Sequence, residues 1–418
     1  KNRLILAASD IALTGDLDAV NYSFAYAAAG VYRDSAAGFV SAGLVQVCAR
    51  CAGEFTSSVQ IAAGKKVKAR NITVRTTYRC EAKAKSAQAV NGVSANVFSL
   101  NGNIADSSVA TQAEASVTGE GEAETEDDLS IEALGAAKAW SAFEELAVAI
   151  NGGAIAINIL TSSLEGAQNA FLKGVSATVG GDLTILCEFN KTGADGALAE
   201  LSGGMQGAGS GVDNIKVSFN GFTVEGNVAV AIADYTVKAF IENADVDVAG
   251  TLDIRVEASS VATARLAADT IAASGLSAGL NFMFAWAKGT YEARVTASSG
   301  KVVKAGAISV TTTYTTGALA QTGQLSGGLG ALASVDAALL SIKMNLGWAE
   351  SATKASACVT GEGTIRATDD PAAGAALNVG ATGKAYAKAE NIAASIEAGG
   401  IKVALVVMSA NVEVTQSA

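Results

Sequence analysis

A chain of 418 residues with one proline, 45 glycines and no histidine has an unusual composition for a set of ordinary enzyme domains. The absence of histidine excludes Ser-His-Asp and Cys-His catalysis and histidine-ligated zinc. Its 40 Asp and Glu residues against 29 Lys and Arg residues give a net charge of −11, which argues against nucleic-acid binding because phosphates require a positive surface. No stretch approaches the ~20 consecutive apolar residues of a membrane helix, so we expect no membrane insertion.

Two kinds of short strand recur along the chain, and both are punctuated by glycine. The alternation of Val45, Val47 and Ala49 has the period of two that predicts a β-strand. Thr and Val are frequent in these segments, and proline, which would interrupt a ladder, is almost missing. Only residues 142–150 and 336–343 also fit a helical period. In chain order, the predicted strands are 16–22, 44–51, 71–80, 154–160, 182–189, 227–233, 251–256, 280–287, 307–316 and 401–408.

The chain repeats itself over a long period. Residues 41–84 align without a gap on residues 277–320, with 19 identities in 44 positions. Further on the shift between the two copies becomes slightly longer, where residues 117–121 return as 359–363. Within this repeat the strand types recur at roughly 50- to 70-residue intervals, so about seven tandem units cover the chain. Units that cannot bury their own faces must stack, and the sequence therefore predicts an all-β, elongated parallel β-helix, or β-solenoid, with a ~240-residue higher-order repeat.

The long repeat divides the chain into a first part, 1–236, and a second, incomplete part, 237–418, which we expect to form one continuous solenoid without a linker. Its core should consist of closely packed small side chains. At the turns, Lys65, Lys68, Lys301 and Lys304 are expected to be exposed. The residues expected to be buried are Val45, Val47, Ala49, Cys51, Ile72, Val74, Ala229, Ala231, Ala233, Ile308 and Val310.

The rhythm of Ala-Gly, alternating strand and Gly-x-Val-x-Val resembles the repeat regions of giant bacterial extracellular β-helix proteins, the filamentous-haemagglutinin-like adhesins and leukotoxin-type repeats. The resemblance covers essentially the whole chain, and no signature motif anchors it. It implies a right-handed parallel β-helix, secretion to the cell surface, and adhesive or scaffolding work. A unit of roughly 58 residues departs from the shorter repeats of that family and is either one very wide coil or about three narrow ones.

The cysteines allow two interpretations. Cys48 and Cys51 have the spacing of a redox or metal motif, but positions i and i+3 of a strand face opposite sides. Cys51 and Cys187 therefore fit best as small buried apolar side chains. Because Cys51 and Cys80 both fall on the inward side of neighbouring strands, a disulfide between them is the second interpretation. We expect no metal and no other cofactor.

Acidic and hydroxyl side chains form the next candidates. The run at 126–128 returns in part as Asp369 and Asp370 and is interpreted as solvated turn charge, with a calcium site as the alternative. These carboxylates have no basic or aromatic neighbours that would hold a sugar, so we assign no catalytic residue. Thr311, Thr313 and Thr315 point to one side of a strand and are interpreted as an ordinary solvent-facing surface.

One strand is apolar on both sides. Phe282, Phe284 and Trp286 alternate with residues of the expected core and should therefore point outward. Three interpretations stay open: the inward and outward sides of this strand are assigned the wrong way round, a connecting Ala-rich stretch covers these side chains, or they form an exposed stripe for contact with a partner.

We therefore expect a non-enzymatic protein, the structural and adhesive shaft of a bacterial surface or secreted protein. The chain begins and ends without a polar capping repeat, which favours end-to-end continuation, either within a longer chain or by self-association into fibres. A host-surface or carbohydrate ligand would fit this role. The alternative is a β-helix protein that binds or degrades polysaccharide.

Overall fold

The computed structural model describes residues 2–6, 11–34, 38–191, 207–322, 334–367, 377–391 and 395–418. In these ranges the chain forms strands joined by tight turns and contains no helix. Residues 142–150 and 336–343, where the sequence also allowed a helix, belong to strands. The extended conformation prevails there because each of these segments is paired with a neighbouring strand.

Nineteen strands are defined within the described ranges, and several bend without losing their hydrogen-bonded neighbours. They are β1 (Asn2–Leu6), β2 (Ile11–Ala12), β3 (Leu17–Asp34), β4 (Gly38–Ile61), β5 (Lys66–Ala69), β6 (Ile72–Gly119), β7 (Glu122–Thr125), β8 (Leu129–Lys173), β9 (Ser176–Val179), β10 (Leu183–Phe189), β11 (Gly207–Glu242), β12 (Asp245–Val248), β13 (Thr251–Ala297), β14 (Val302–Ala305), β15 (Ala307–Thr322), β16 (Ser334–Gly361), β17 (Thr364–Ala367), β18 (Leu377–Asn391) and β19 (Ser395–Ser417).

The strands are organised as seven stacked coils. Each coil begins with a short strand, continues along a first arm, bends, and returns along a second arm to the next short strand. In the second coil these parts are β5, residues 72–89 and residues 93–118. The short strands β2, β5, β7, β9, β12, β14 and β17 form one parallel sheet, and the two arms form the long parallel ladders. The predicted parallel β-solenoid of about seven units is confirmed.

The long sequence repeat corresponds to four coils. Leu44 pairs with Gly102, Gly102 with Ile157, Ile157 with Gly226, and Gly226 with Leu280. The positions that the internal alignment equates, such as Leu44 and Leu280, therefore lie in one ladder on the same side of the solenoid. The division at 236/237 falls inside β11, whose pairing with its neighbours continues across it.

Each coil is one wide turn of the solenoid, and the coils differ in length. Leu129 pairs with Leu183, and Leu183 pairs in turn with Leu252, so the second of these two coils contains the longer stretch of chain. Seven coils rise only about 34 Å along the solenoid axis at the spacing of paired strands, whereas residues 148–173 alone have a contour of roughly 85 Å. The longest dimension of these seven coils therefore runs along the arms.

The core lies between the two arms, whose inward side chains face each other. The Thr76 hydroxyl of a first arm donates a 2.7 Å hydrogen bond to the Glu114 carbonyl of the second arm in the same coil. The residues expected in the core are buried, except Val45, which is only partly buried. The core prediction is thus confirmed, and most of this core is indeed alanine and valine.

The expectation for the four lysines was wrong in part. Lys68 and Lys304 lie on the short strands β5 and β14 rather than at turns, and side chains in this sheet are drawn into contacts between coils. The Lys301 ammonium lies 2.8 Å from Asp245, and the Lys68 ammonium lies 2.8 Å from Glu124. Ion pairs of this kind hold the lysine side chains along the surface of the short sheet.

Glycine is required at the corner where the second arm ends. Gly119 and Gly361 have φ values of 127° and 130°, which side chains rarely adopt. A Cβ atom at Gly119 would lie far inside contact distance of the Ile61 carbonyl, and one at Gly361 would meet the Ala297 carbonyl in the same way. This corner therefore allows the coils to turn while their backbones stay closely stacked.

Candidate functional site

The acidic run at 126–128 performs a structural task. The Asp128 carboxylate accepts a 2.8 Å hydrogen bond from the backbone N–H of Asp182, and the Asp182 carboxylate accepts one of 2.7 Å from the N–H of Thr251. Each turn thus caps the strand that starts the first arm of the next coil. Asp369 and Asp370 lie outside the described residues. Within the described part of the chain, no group of three or more Cys, Asp or Glu side chains is placed to hold a metal ion.

The five cysteines occupy different environments. Cys51 of a second arm and Cys80 of a first arm face each other across the core and are joined in a disulfide, with their Cα atoms 6.3 Å apart. Cys187 is a buried free thiol, and this burial raises its pKa well above the usual value. Cys48 is exposed, on the opposite side of its strand from Cys51, and Cys358 is half-buried.

The sequence analysis missed an asparagine ladder inside the second arms. Asn103, Asn158, Asn227, Asn281 and Asn345 occupy equivalent inward positions in five successive coils. Each side-chain amide donates to the side-chain oxygen of the next at 2.8–2.9 Å. Such ladders satisfy both halves of a buried amide.

A second polar group lies deeper between the arms. The Tyr78 hydroxyl contacts both the Tyr235 hydroxyl and the Gln168 side-chain oxygen, the latter at 3.0 Å. Thr111 lies 2.8 Å from the Tyr235 hydroxyl, and the ring of Phe189 stacks on that of Tyr235 at 3.6 Å. Burial raises the pKa of both tyrosines well above the usual value. With every hydroxyl bonded inside the core, this group stabilises the packing of the arms and faces no solvent.

The outward side of the first arms is a charged face, defined by residues 73–81, 130–138, 184–188 and 253–259. Ion pairs connect neighbouring coils here: Arg75 reaches Glu132 at 2.7 Å, and Lys191 reaches Glu257 at 2.7 Å. Further along the same side Thr313 is exposed, beside the half-buried Thr311 and Thr315. The first arms of the second to fifth coils therefore present a hydrated, ion-paired surface, whereas β3 in the first coil exposes Val20, Tyr22, Phe24 and Tyr26 on the same side.

The outward side of the second arms is apolar where each arm leaves the bend. Phe284 and Trp286 are 41% and 51% exposed, and Phe282 is half-buried, so the predicted stripe does point away from the core. The register sets Trp348 beside Phe284 in the next coil. We call the surface formed by these and the equivalent outward positions the apolar face; its members are Ile155, Ile157, Ile159, Val224, Gly226, Val228, Val230, Ile232, Leu280, Phe282, Phe284, Trp286, Ile342, Met344, Leu346, Trp348, Val403, Leu405 and Val407.

The apolar face extends well beyond the three aromatic residues that the sequence indicated. Ile157 in the third coil is 47% exposed, and Val407 in the seventh coil is also 47% exposed. The remaining equivalent positions hold Thr161, Ser163, Ala278, Ser409, Asn411 and Glu350, so the face contains one charged residue, which lies beside Trp286. The sequence alone does not reveal this surface, because insertions of different length separate the residues that pair between coils. The pairing register of the coils is needed to find it.

Two grooves lie on the outward side of the second arms. One, of about 460 Å³, adjoins the apolar face and is lined mainly by Leu44, Leu100, Ile104, Ile157 and Ile159 around Gly102. The other, of about 620 Å³, lies towards the short sheet; we call it the polar groove because Glu54, Gln112, Glu165 and Asp234 line it, together with alanine and glycine residues.

No protein-family model, curated protein or solved structure matches this chain. The part of the chain that the structure describes also holds no helix with the length and hydrophobicity that a membrane crossing requires. The resemblance to adhesin and leukotoxin-type repeats accordingly remains an expectation from the sequence pattern.

Proposed function

We propose that this chain is a structural and adhesive shaft of a bacterial surface or secreted protein, and that it has no catalytic activity. The observation that carries the proposal is the continuous stacking of seven coils, in which the arms of each coil pair with those of the next. The coils of such a stack cannot move independently, because the arms of each coil are paired with those of neighbouring coils. A scaffold of this kind can display a surface at a fixed distance and orientation.

The disulfide between Cys51 and Cys80 supports an extracellular location. Disulfides persist in oxidising compartments, whereas the cytosol keeps most thiols reduced. This bridge fastens the two arms to each other across the core, where it would help a secreted shaft to withstand unfolding.

Continuation of the stack along its axis is the second element of the proposal. The last coil leaves Val406, Val412 and Val414 exposed by 47%, 44% and 46% on its inward side. A further coil, from a longer chain or from a second copy, would cover these side chains and pair with the backbone of β19. Head-to-tail stacking of copies does not close and would produce fibres.

Electron microscopy and a bead assay test the two elements separately. The purified, oxidised chain should form ribbons of constant width that lengthen with concentration, and Val414→Lys should shorten them while the circular dichroism of the chain stays unchanged. Particles of one length at every concentration would rule out stacking of separate copies. Beads coated with the chain should bind cultured cells or matrix glycoproteins more strongly than albumin-coated beads, and equal binding would contradict the adhesive role.

The polar groove favours carbohydrate binding as the second candidate function. Glu54, Gln112 and Glu165 place carboxylate and amide groups around a groove large enough for a sugar unit. Calorimetric titration with a panel of soluble glycans should then detect binding, and Glu165→Gln should weaken it. Absence of heat with every glycan, or binding that Glu165→Gln leaves unchanged, would remove this candidate.

A further inference from the structure

The apolar face is large and contains a single charged residue, Glu350, at its edge. We call equivalent outward positions in successive coils a column. The face has five columns that each cross five coils, which corresponds to an area of roughly 700 Å² at the usual strand spacing and rise. The largest apolar patch on a typical monomer is about 300–600 Å², and larger patches mark contact sites. Its aromatic members, Phe284, Trp286 and Trp348, are 41%, 51% and 49% exposed.

We propose that a second copy of this chain covers the apolar face, so that two solenoids pair side by side in a closed two-fold dimer. A specific interface buries about 800 Å² on each partner, which the apolar face alone nearly provides. This contact is distinct from end-to-end stacking and does not depend on the adhesive role.

The composition of the face fits pairing with itself. Glu350 is the one charged residue in its five columns and lies in the outermost column, so two copies can meet on the other columns while this carboxylate stays at the rim of the contact. Tryptophan is enriched among the residues that carry most of the binding energy in interfaces, and Trp286 and Trp348 lie in adjacent coils near one side of the face. The stacked ladders hold these rings in place before association, which lowers the entropic loss on binding.

The charge of the molecule argues against an anionic membrane as the occupant. Attraction to such lipids requires clusters of Lys and Arg at the edge of the apolar surface. The edge contains Asp106 beside Arg50, together with Glu350, and the whole chain carries a net charge of −11. The charged face lies on the other arms, so two copies joined through the apolar face keep most of their ion pairs in water.

The shape of one column supports a two-fold arrangement. Ile157, Gly226 and Leu280 follow each other in successive coils, so large side chains flank a glycine. A Cβ atom at Gly226 would meet no atom within 4 Å, which leaves an open notch in the row. With the two-fold axis along the strands, the column of one copy faces the same column of the other in reverse order. A relative offset of one coil then sets a large residue of each copy opposite the notch of its partner.

Sedimentation equilibrium of full-length Val414→Lys, in which axial stacking is blocked, tests the side-by-side contact separately from fibre formation, and this variant is the parent chain for the substitutions below. Its mass should rise with concentration and stop at twice the chain mass of 41.6 kDa. Trp286→Lys should raise the dimer dissociation constant by about tenfold or more, since it removes an aromatic anchor and places a charge in a desolvated contact. Tyr22→Lys is the matched control, because Tyr22 is also an exposed aromatic residue, at 61%, but lies on a first arm; this variant should dimerise like the parent chain.

Three outcomes would overturn the proposal. They are a monomer at every concentration, a dimer that Tyr22→Lys weakens and Trp286→Lys does not, and a mass that grows without limit in both the parent chain and Trp286→Lys. The last result would show that copies with blocked axial stacking associate through a surface other than the apolar face. Circular dichroism of each variant verifies the fold, and Phe284→Lys provides a second variant if Trp286→Lys fails to fold.

Fluorescence gives an independent readout of the same contact. Two of the three tryptophans, Trp286 and Trp348, lie on the apolar face, whereas Trp140 lies in the first-arm part of the third coil. Dilution of the dimer should therefore shift the emission to longer wavelengths as the two faces become hydrated. A chain that lacks Trp140 should keep this shift, and emission that does not change over a dilution that halves the mass would contradict the proposed interface.

Discussion

The side-chain amide of Asn158 donates a 2.8 Å hydrogen bond to the side-chain oxygen of Asn227, although a whole coil of the chain separates the two residues in sequence. They are neighbours because the stacking of the coils brings equivalent positions of successive second arms together. Their bond is one rung of a ladder that begins at Asn103 and continues to Asn345. Val45 and Val406 occupy the equivalent positions in the coils on either side.

A valine in the middle of this ladder should destabilise the chain. Asn227→Val fits the available space, since valine occupies equivalent positions elsewhere, but it leaves the amide of Asn158 and the oxygen of Asn281 without their partners. We expect a loss of about 2 kcal/mol in the free energy of unfolding, the usual penalty for unsatisfied buried polar groups. Urea titration measures it.

The end of the ladder supplies the control for that experiment. Asn103→Val removes only one bond within the ladder, so its effect should be about half as large. Equal losses for Asn103→Val and Asn227→Val would contradict the idea that the interior rungs depend on two partners each.

The architecture was predictable because every coil repeats the same alternation of apolar residues. The asparagine ladder was not predictable, because the alignment that revealed the long repeat does not match asparagine with asparagine. The alignment of 41–84 on 277–320 places Val45 on Asn281, so the longest internal match pairs a valine with an asparagine. The spacing between successive asparagines also varies with the insertions in each coil. Alternation of apolar residues survives such insertions, since it is read within one strand, but side-chain ladders between coils require the register.

The apolar face was predictable to a similar extent. The outward direction of Phe284 follows from the parity of its own strand alone. That Trp348 lies beside Phe284, and Val230 on its other side, depends on the lengths of the two intervening coils, which differ and which no periodicity in the sequence indicates. The sequence therefore identified a stripe in one coil, and only the stacked structure extends it into a face.

Removal of the bridge between Cys51 and Cys80 should lower stability substantially. The two residues are 29 positions apart, and a closed loop of that size is worth about 3.6 kcal/mol through restriction of the unfolded chain. Replacement of both residues by alanine should therefore shift the urea midpoint to lower concentration, as should reduction of the parent chain. Reduction of the doubly substituted chain is the control and should have no further effect.

The rate of reaction with a thiol reagent should distinguish Cys48 from Cys187. Cys48 is exposed and should react rapidly with a thiol reagent in the folded chain. Cys187 should react only after unfolding, because its thiol is buried and its raised pKa keeps it protonated. A rapid reaction that persists in Cys48→Ser but disappears in Cys187→Ser would contradict the described packing.

The acidic turn offers a comparison of two adjacent residues. Asp128→Ala removes the acceptor for the N–H of Asp182 and should cost about 1 kcal/mol, as loss of a strand or helix cap usually does. Asp127→Ala, in the same exposed turn, should have a much smaller effect on the unfolding free energy. If calcium rather than capping were the role of this turn, calcium would raise the melting temperature of the parent chain and both substitutions would abolish that rise.

Acid should lower the stability of the folded chain, because it protonates carboxylates that form ion pairs between coils. The Lys66 and Lys68 ammonium groups both bond to the Glu124 carboxylate and lower its pKa from 4.5 to about 2. Hydrogen bonds from Arg70 and from Lys173 likewise lower the pKa of Asp16 and of Glu242. Each of these groups has a lower pKa in the folded chain than in the unfolded one. Their contribution to stability is therefore complete above the unfolded pKa and is lost as the pH falls towards the folded pKa.

The melting temperature should accordingly decline between about pH 5 and about pH 2.5, as the unfolded chain takes up protons that the folded chain does not. Glu124→Gln should flatten this decline slightly, because Glu124 and its lysine partners are partly exposed and water screens their ion pairs. Salt should also flatten it, since added ions weaken the attraction between the short strands β5 and β7. A melting temperature that rises on acidification, or a decline that is steeper in Glu124→Gln than in the parent chain, would show that these pairs do not stabilise the stacking of the short sheet.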